Sequence, residues 1–167
     1  MDKELYERLK KWLDNGRGLK VNGRIIGKSG SGKTTFIEKY CEEDYKIWLI
    51  KPPNKCESID LFRAIFERIQ YHPQTGITGL SKFREVVYHR LQSDKIEMII
   101  VDDAHLLKLG TFTDVRHFHD KFDIPVVLAG TVLLEKLIVK DEQVCYRFMR
   151  SFKLPDRISE IADESDK

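Results

Sequence analysis

Eight consecutive residues near the amino end have the types and spacing of a phosphate-binding loop. Gly27, Gly30, Gly32, Lys33 and Thr34 fit the pattern G-x-x-x-x-G-K-[ST]. The glycines let the backbone bring its N–H groups close to an anion. The lysine would reach the β- and γ-phosphates of a nucleotide, and the threonine hydroxyl would bind Mg²⁺. The positive end of the helix that starts near the lysine points at the same place.

The residues on both sides of this loop supply the structural context that it needs. Residues 24–26 predict a short buried strand, and residues 35–40 predict a helix. A flexible turn rich in glycine and serine is the alternative, but it leaves both flanks unexplained. The sequence therefore predicts nucleotide binding by the loop and the residue after it: Gly27, Lys28, Ser29, Gly30, Ser31, Gly32, Lys33, Thr34 and Thr35.

A second element of the same chemistry is an apolar run at 98–101 that ends in Asp102 and Asp103. This is the pattern of a Walker B element, in which a carboxylate at the end of a strand holds Mg²⁺ directly or through water. We expect Asp102 to bind the metal and Asp103 to polarise the attacking water. The alternative is an acidic pair in an ordinary strand-to-helix loop, with Asp103 capping the helix that follows.

Asp103 raises a question about rate, because most ATPases of this type have glutamate at that position. The aspartate side chain is shorter by one C–C bond, about 1.5 Å. A displacement of about 1 Å at a reacting centre can lower the rate about a hundredfold. The sequence thus allows slow hydrolysis as well as a site that binds ATP and hardly hydrolyses it.

Three polar residues further along the chain are candidates for roles at the same site. Thr131 follows the strand at 125–129 and would orient the γ-phosphate or the water, cap the next helix, or do both. Arg147 and Arg150 are candidates for an arginine presented to a neighbouring subunit's nucleotide, which can raise the rate by about 10³–10⁵. Without such a partner, each is an ordinary surface arginine.

Hydrophobic periodicity predicts alternating strands and helices. The third and fourth strands are near-continuous apolar runs, as expected for strands covered on both faces. The alternation predicts an α/β fold with a five-stranded parallel sheet flanked by helices. The expected strands are 23–26, 46–51, 96–101, 125–129 and 151–154. The expected helices are 3–13, 33–42, 58–71, 80–92, 111–121 and 131–139, with a break at 14–18 and a loop at 71–79.

Length and composition limit the class of protein. The 167 residues, 41% hydrophobic and 34% charged, predict one globular domain, 1–167, that begins with a helix and turn at 1–20. No apolar run approaches the ~20 residues that a membrane helix needs, and the charged first residues argue against a secretory signal. The net charge of +2 neither requires nor excludes nucleic acid. Three widely spaced cysteines indicate reduced thiols in a cytoplasm.

Taken together, these motifs resemble those of the AAA+ ATPase regulators of DNA transposition of the TniB and TnsC type, including those of CRISPR-associated transposons. The more specific parts of the resemblance are Asp-Glu-Gln-Val with Arg-Phe, at 141–148, and Ala-Gly-Thr, at 129–131. The resemblance runs from about residue 5 to residue 157. It is carried by segments 27–34, 51–56 with 60–62, 98–107, 111–116, 124–131 and 141–148.

The resemblance implies a P-loop NTPase of the AAA+ (ASCE) type that hydrolyses ATP with Mg²⁺. In that family, ATP drives assembly into rings or helical filaments around double-stranded DNA, and the filament marks a target and recruits or activates a transposase. The expected partners are therefore other copies of the chain, duplex DNA, a transposase and target-selection proteins, with no membrane, at the nucleoid of a bacterial cytoplasm. Arg147 becomes the preferred arginine in trans, Thr131 the sensor and Asp103 the hydrolytic residue, with Lys33 in the same catalytic set.

Two features depart from the family pattern. Relatives continue into a helical lid and a partner-binding tail, whereas this sequence ends at Lys167, so we expect no lid domain. Some relatives place a lysine just before Asp-Leu-Phe, where this chain has Ile59. The remaining candidates for DNA contact are nearby basic residues and two threonines of the 71–79 loop, which would contact phosphates without sequence preference: Lys51, Lys55, Arg63, Thr75 and Thr78.

Two functions fit these residues. The first is an ATP-dependent regulator that oligomerises on double-stranded DNA, selects targets and recruits or activates a transposase. The second is an ATP-binding switch or inhibitory module with little hydrolysis, acting on a longer homologue. A small-molecule kinase is disfavoured, because an arginine-rich lid and an acceptor-site motif are missing from the sequence. A DExH helicase, whose box resembles residues 102–105, would need a second motor half.

Overall fold

A five-stranded parallel sheet forms the centre of the domain in the computed structural model, which describes residues 2–69 and 78–155. The strands cross the sheet in the order β2-β3-β4-β1-β5, and every neighbouring pair is parallel. This arrangement confirms the predicted α/β fold. The strands are β1 (Gly23–Ile26), β2 (Ile47–Ile50), β3 (Met98–Val101), β4 (Val126–Gly130) and β5 (Arg150–Lys153).

Helices cover both faces of the sheet. Because side chains alternate along a strand, Met98 and Ile100 of β3 pack on one face and Ile99 and Val101 on the other. The first face is covered by α1 (Lys3–Gly18) and α2 (Lys33–Glu42). The second is covered by α3 (Ser58–Ile69), α4 (Leu80–Ser93), α5 (Thr111–Phe122), α6 (Val132–Ile138) and α7 (Glu142–Arg147).

The register of the strands places three carboxyl ends side by side. Ile26, the last residue of β1, is paired with Gly130 at the end of β4. Val101, the last residue of β3, is paired with Leu128 of β4. The loops that leave β1, β3 and β4 therefore start at the same edge of the sheet, where ligands bind in open α/β folds.

Helix α1 continues through the predicted break at 14–18 and ends at Gly18, so that part of the prediction is wrong. Long-range ion pairs explain the difference. Arg17, in the last turn, donates a hydrogen bond to Asp44 at 2.6 Å and another, from Nε, to Glu97 at 2.9 Å. These contacts, which residue spacing does not reveal, offset the low helix propensity of the glycines in this turn.

Arg150 fastens the edge strand β5 to α1. Its Nη2 donates a hydrogen bond to the Trp12 carbonyl, and its guanidinium lies over the Trp12 ring, 3.9 Å from the ring centroid. Burial in this seam lowers the pKa of the guanidinium below its ordinary value. Gly16 lies so close that an added Cβ would contact Nη1 of the arginine. Arg150 is therefore a packing residue, and its interpretation as an arginine for a neighbouring subunit is wrong.

The short helix α7 is missing from the sequence prediction. Asp141 caps it, because its Oδ1 accepts hydrogen bonds from the N–H groups of Gln143 at 3.0 Å and Val144 at 3.2 Å. A helix of six residues with one buried side chain is too short to show hydrophobic periodicity. Apart from the end of the helix 58–71, which lies outside the described residues, the other predicted ends of helices and strands agree with the structure within two residues.

Three of the sequence predictions lie wholly or partly outside the described residues: the end of the helix 58–71, the loop 71–79 and the DNA-contact candidate Thr75. Helix α3 is described up to Ile69, and Thr75 belongs to the segment 70–77 that the structure does not describe. Within residues 2–69 and 78–155 there is no helical lid domain. In the same ranges, no helix has both the length and the apolar character that crossing a membrane requires.

The packing of α1 against Arg150 makes two neighbouring glycines respond differently to the same substitution. Gly18→Ala meets open space, and we expect it to raise the free energy of unfolding by about 0.5–1 kcal/mol through helix propensity. Gly16→Ala pushes against the Arg150 guanidinium, so we expect a lower free energy of unfolding than in the unsubstituted protein. Urea unfolding of both variants measures the difference, and an equal rise in both would contradict the described seam.

Candidate functional site

The glycines of the predicted phosphate loop serve two different geometric needs. Gly30 and Gly32 have φ values of +77° and +87°, in the left-handed region that residues with a Cβ rarely adopt. Gly27 has ordinary backbone angles but is crowded: an added Cβ would lie 2.6 Å from Ser31 Oγ and 3.1 Å from Leu154 Cβ. The sequence analysis predicted that all three glycines are needed for backbone freedom. Gly27 is needed instead because there is no room for a Cβ at this position.

Lys33 buries a charged group at the centre of the loop. Only 6% of the residue is exposed. Its Nζ donates hydrogen bonds to the carbonyls of Gly27 and Lys28, both at 2.8 Å. Burial lowers the pKa of the ammonium below its ordinary value, and the nearby carboxylates of Asp102 and Asp103 partly oppose this. A cation held this way attracts an anion strongly, because the surrounding protein screens its charge poorly.

Thr34 and Asp102, which follow β1 and β3, are hydrogen-bonded to each other. The Thr34 hydroxyl, in the first turn of α2, donates a hydrogen bond to Asp102 Oδ2 at 2.7 Å. Asp102 is 1% exposed, and its Oδ1 accepts a hydrogen bond from the Asp103 N–H at 2.9 Å. A hydroxyl beside a carboxylate is an oxygen pair suited to Mg²⁺. The chemistry of this pair fits the predicted metal ligands.

Asp103 and Thr131 face the loop across a cleft of about 690 Å³. Asp103 has left-handed backbone angles (φ 48°, ψ 39°), and its side chain is half exposed. Thr131 caps α6, because its hydroxyl accepts a hydrogen bond from the Leu133 N–H at 3.4 Å, so the capping alternative holds. The predicted residues that line the cleft are Ser29, Gly30, Gly32, Lys33, Thr34, Thr35, Asp103 and Thr131.

His105 is a cleft residue that the sequence analysis did not select. It lies in the 3₁₀ turn Ala104–Leu106 and lines the cleft together with Leu106 and Leu133. Its Nδ1 is buried, has no hydrogen-bond partner within the described residues and lies 4.0 Å from Asp103 Oδ1. The available signal was its position three residues after Asp102, in a segment that leaves the sheet at the ligand-binding edge.

Arg147 lies outside the group of residues that line the cleft. It ends α7, and its guanidinium forms an ion pair with Asp120 of α5 at 2.7 Å, with the arginine side chain about half exposed. Such an exposed pair contributes little to stability and exchanges easily. The position leaves the arginine accessible from outside the domain.

Four of the candidates for DNA contact lie near the carboxyl end of β2, on α3 and just before α4. Lys51 forms an ion pair with Glu38. Lys55 is exposed and has a left-handed φ of +55°. Arg63 lies 3.6 Å from the Asp60 carboxylate, and Thr78 is exposed just before α4. These four residues are exposed, but the described contacts do not join them into one cluster.

The sheet order and the loop geometry define a P-loop NTPase domain of the AAA+ type. The chain belongs to the AAA domain family, whose model matches residues 4–138. This confirms the expected AAA+ fold class. Among curated protein sequences, no match was found.

Solved structures share the fold at low sequence identity. The ORC2 protein of Aeropyrum pernix, in ADPNP–ADP complexes, has a TM-score of 0.67 and 14% identity over 97% of this chain and 51% of that chain. The ORC1 protein of the same organism, in complex with DNA, has a TM-score of 0.63 and 14% identity over 95% and 48%. A structure of Pif1 helicases at forked double-stranded DNA has a TM-score of 0.54 and 20% identity over 87% and 37%. The chain thus spans about half or less of these proteins.

The Thr34–Asp102 contact predicts how affinity depends on the metal. Asp102→Asn removes one carboxylate charge without changing shape, so we expect the affinity for a slowly hydrolysed ATP analogue in Mg²⁺ to fall about ten- to hundredfold. In EDTA, the affinity should match that of the unsubstituted protein. Calorimetry measures both values, and Asp94→Asn, at the carboxyl end of α4, is the control. An equal loss with and without metal would contradict a ligand role for Asp102.

Proposed function

We propose that the domain binds ATP and Mg²⁺ in this cleft and hydrolyses the nucleotide. The observation that carries the proposal is the hydrogen bond from Thr34 to Asp102, which brings the two halves of a phosphate site together from positions 68 residues apart. Lys33 would contact the β- and γ-phosphates, and the loop N–H groups would surround them. Thr34 and Asp102 would hold Mg²⁺, which neutralises charge on the phosphates.

The hydrolytic step is assigned to Asp103. Its carboxylate lies at the cleft on a half-exposed side chain, in reach of solvent that would supply the attacking water. Thr131 lines the same cleft from the end of β4, which suits a role in orienting the γ-phosphate. Because aspartate is shorter than glutamate, we expect turnover to be slow.

The catalytic set is completed by an arginine from a second copy of the chain. Arg147 is half exposed, and within the described residues its guanidinium forms an ion pair with Asp120. Since this pair is weak in water, Arg147 can exchange Asp120 for the phosphates of a neighbouring subunit's nucleotide. This role requires self-association into a ring or a helical filament.

We propose that this assembly forms on double-stranded DNA and regulates transposition. The resemblance to TniB- and TnsC-type regulators supports this assignment, and so does the shared fold with an ORC1 protein solved in complex with DNA. Exposed cations at Lys51, Lys55 and Arg63, with Thr78 and Thr75 as additional donors, would contact phosphates and give affinity without base specificity. The assembly would then recruit or activate a transposase.

Imaging of the purified protein tests this function directly. With duplex DNA and a slowly hydrolysed ATP analogue, electron microscopy should show rings or filaments on the DNA, and without nucleotide it should show none. Lys33→Ala should abolish assembly because the phosphates lose their buried cation. Lys11→Ala, on the exposed face of α1, should assemble like the unsubstituted protein. Monomers alone under all conditions would contradict the proposal.

The second candidate function is an ATP-binding switch with little hydrolysis, and the short side chain of Asp103 favours it. Turnover assays separate the two candidates. If the domain is an ATPase, Asp103→Ala should lower kcat about a hundredfold or more while the affinity for ATP stays within about twofold. Asp103→Glu, which restores the usual length, should keep or raise kcat. Equal turnover in the alanine variant would show that hydrolysis does not depend on this residue.

A further inference from the structure

The loop that carries Lys55 is hydrogen-bonded to the segment that forms one wall of the cleft. The N–H of Cys56 donates a hydrogen bond to the Leu106 carbonyl at 3.0 Å. The N–H of Lys108 donates a hydrogen bond back to the Cys56 carbonyl at 2.9 Å. Cys56 and Leu107 thus form a short parallel bridge outside the main sheet. The bridge ties the segment after β2 to the segment after β3.

A buried side chain adds a third hydrogen bond to the same residue. The hydroxyl of Thr111, the first residue of α5, donates to the Cys56 carbonyl at 3.0 Å. Thr111 is 2% exposed and lies outside the group of residues that line the cleft. Burial also raises the pKa of the Cys56 thiol to about 12, which keeps the thiol protonated and inert. We call these three hydrogen bonds the Cys56 clasp.

One end of the clasp is hydrogen-bonded to the segment that carries the residues assigned to hydrolysis. Leu106, which accepts the first hydrogen bond, lines the cleft, and its N–H donates to the Asp103 carbonyl at 2.9 Å. Asp103 has left-handed backbone angles, which a residue with a Cβ keeps only when its surroundings hold it there. Movement of Leu106 would therefore change the orientation of the Asp103 carboxylate and of His105 beside it.

The other end of the clasp faces solvent. Lys55 directly precedes Cys56, is exposed and has a left-handed φ of +55°. Its backbone is thus held in an unfavourable conformation next to the first hydrogen bond of the clasp. A DNA phosphate that binds the Lys55 ammonium would shift the backbone of this strained turn. Cys56 alone lies between Lys55 and the hydrogen bond to Leu106, so the shift would be passed directly to the wall of the cleft.

We propose that Thr111 is a positioning residue which, through the Cys56 clasp, couples contact of DNA with the Lys55 loop to the arrangement of Asp103 and His105 in the cleft. The inference rests on the proposed function, because it requires both nucleotide and duplex binding. Coupling between binding sites is reciprocal. Nucleotide in the cleft must therefore change the affinity for DNA by the same factor as DNA changes the affinity for nucleotide.

The affinity for duplex DNA, measured with and without a slowly hydrolysed ATP analogue and Mg²⁺, tests the coupling. We expect the unsubstituted protein to bind a labelled duplex about fivefold or more tightly with the analogue. Thr111→Val keeps the shape but lacks the hydroxyl, so the ratio should fall below about twofold while the affinity for the analogue alone is unchanged. Thr111→Ser should restore the ratio. Thr113→Val, exposed two residues later on the same helix, should leave it intact.

A backbone variant tests the clasp independently of Thr111. Lys108→Pro removes the N–H that donates to the Cys56 carbonyl, and Leu107 already has the extended angles (φ −68°, ψ 138°) that a following proline accepts. Lys108→Ala removes the same side chain but keeps the N–H. We expect the proline variant to lose the coupling and the alanine variant to keep it, with thermal melting used to confirm that both are folded.

The outcomes separate this inference from the proposed function. Binding of neither nucleotide nor duplex by the unsubstituted protein would overturn the proposed function, and the inference with it. Binding of both ligands with a ratio near one would contradict nucleotide-dependent assembly on DNA, and the inference with it. Full coupling in folded Thr111→Val and Lys108→Pro proteins would overturn the inference alone, because the clasp would then be only structural.

Discussion

The parallel register of β1, β4 and β3 is the constraint on which the rest of the structure depends. Their backbone ladder fixes where each strand ends, and helices on both faces require the strands to be largely apolar, with Arg24 of β1 as an exception. The polar residues of the site therefore begin where the strands stop. Gly27, Asp102 and Thr131 each follow the last residue of a strand, and the ladder aligns these positions at one edge of the sheet. The site is a consequence of the register of the sheet.

The same edge holds charges that burial makes costly. Lys33 and Asp102 are nearly inaccessible to water, and removing a charge from water costs several kcal/mol per ion, to order of magnitude. Carbonyls of the loop and the hydroxyl of Thr34 meet these charges without neutralising them. The proposed nucleotide with its divalent cation would supply charges of the opposite sign at both positions. Such binding would release part of the electrostatic cost that the folded domain carries.

Contacts remote from the strands connect the site to the surface. The Cys56 clasp joins an exposed lysine loop to the wall of the cleft, and Arg147 stands at the outside of α7 in a weak ion pair with Asp120. On the edge strand β5, the Arg150 guanidinium packs against Trp12 of α1. Arg147 and Arg150, which residue spacing alone does not distinguish, therefore have different surroundings. One is available to a partner, and the other holds the domain together.

The sequence by itself determined the phosphate loop, the two carboxylates after β3 and the alternation of strands and helices, because each depends on residues that are contiguous or regularly spaced. The folded structure was needed to show that α1 continues to Gly18, that Arg150 packs against Trp12 and that Cys56 is bonded to residues 106–111. Those features depend on contacts such as Arg17 with Glu97 and Thr111 with Cys56, which join residues 80 and 55 positions apart. A local pattern carries no information about partners at such separations. The geometry of the folded chain therefore had to supply it.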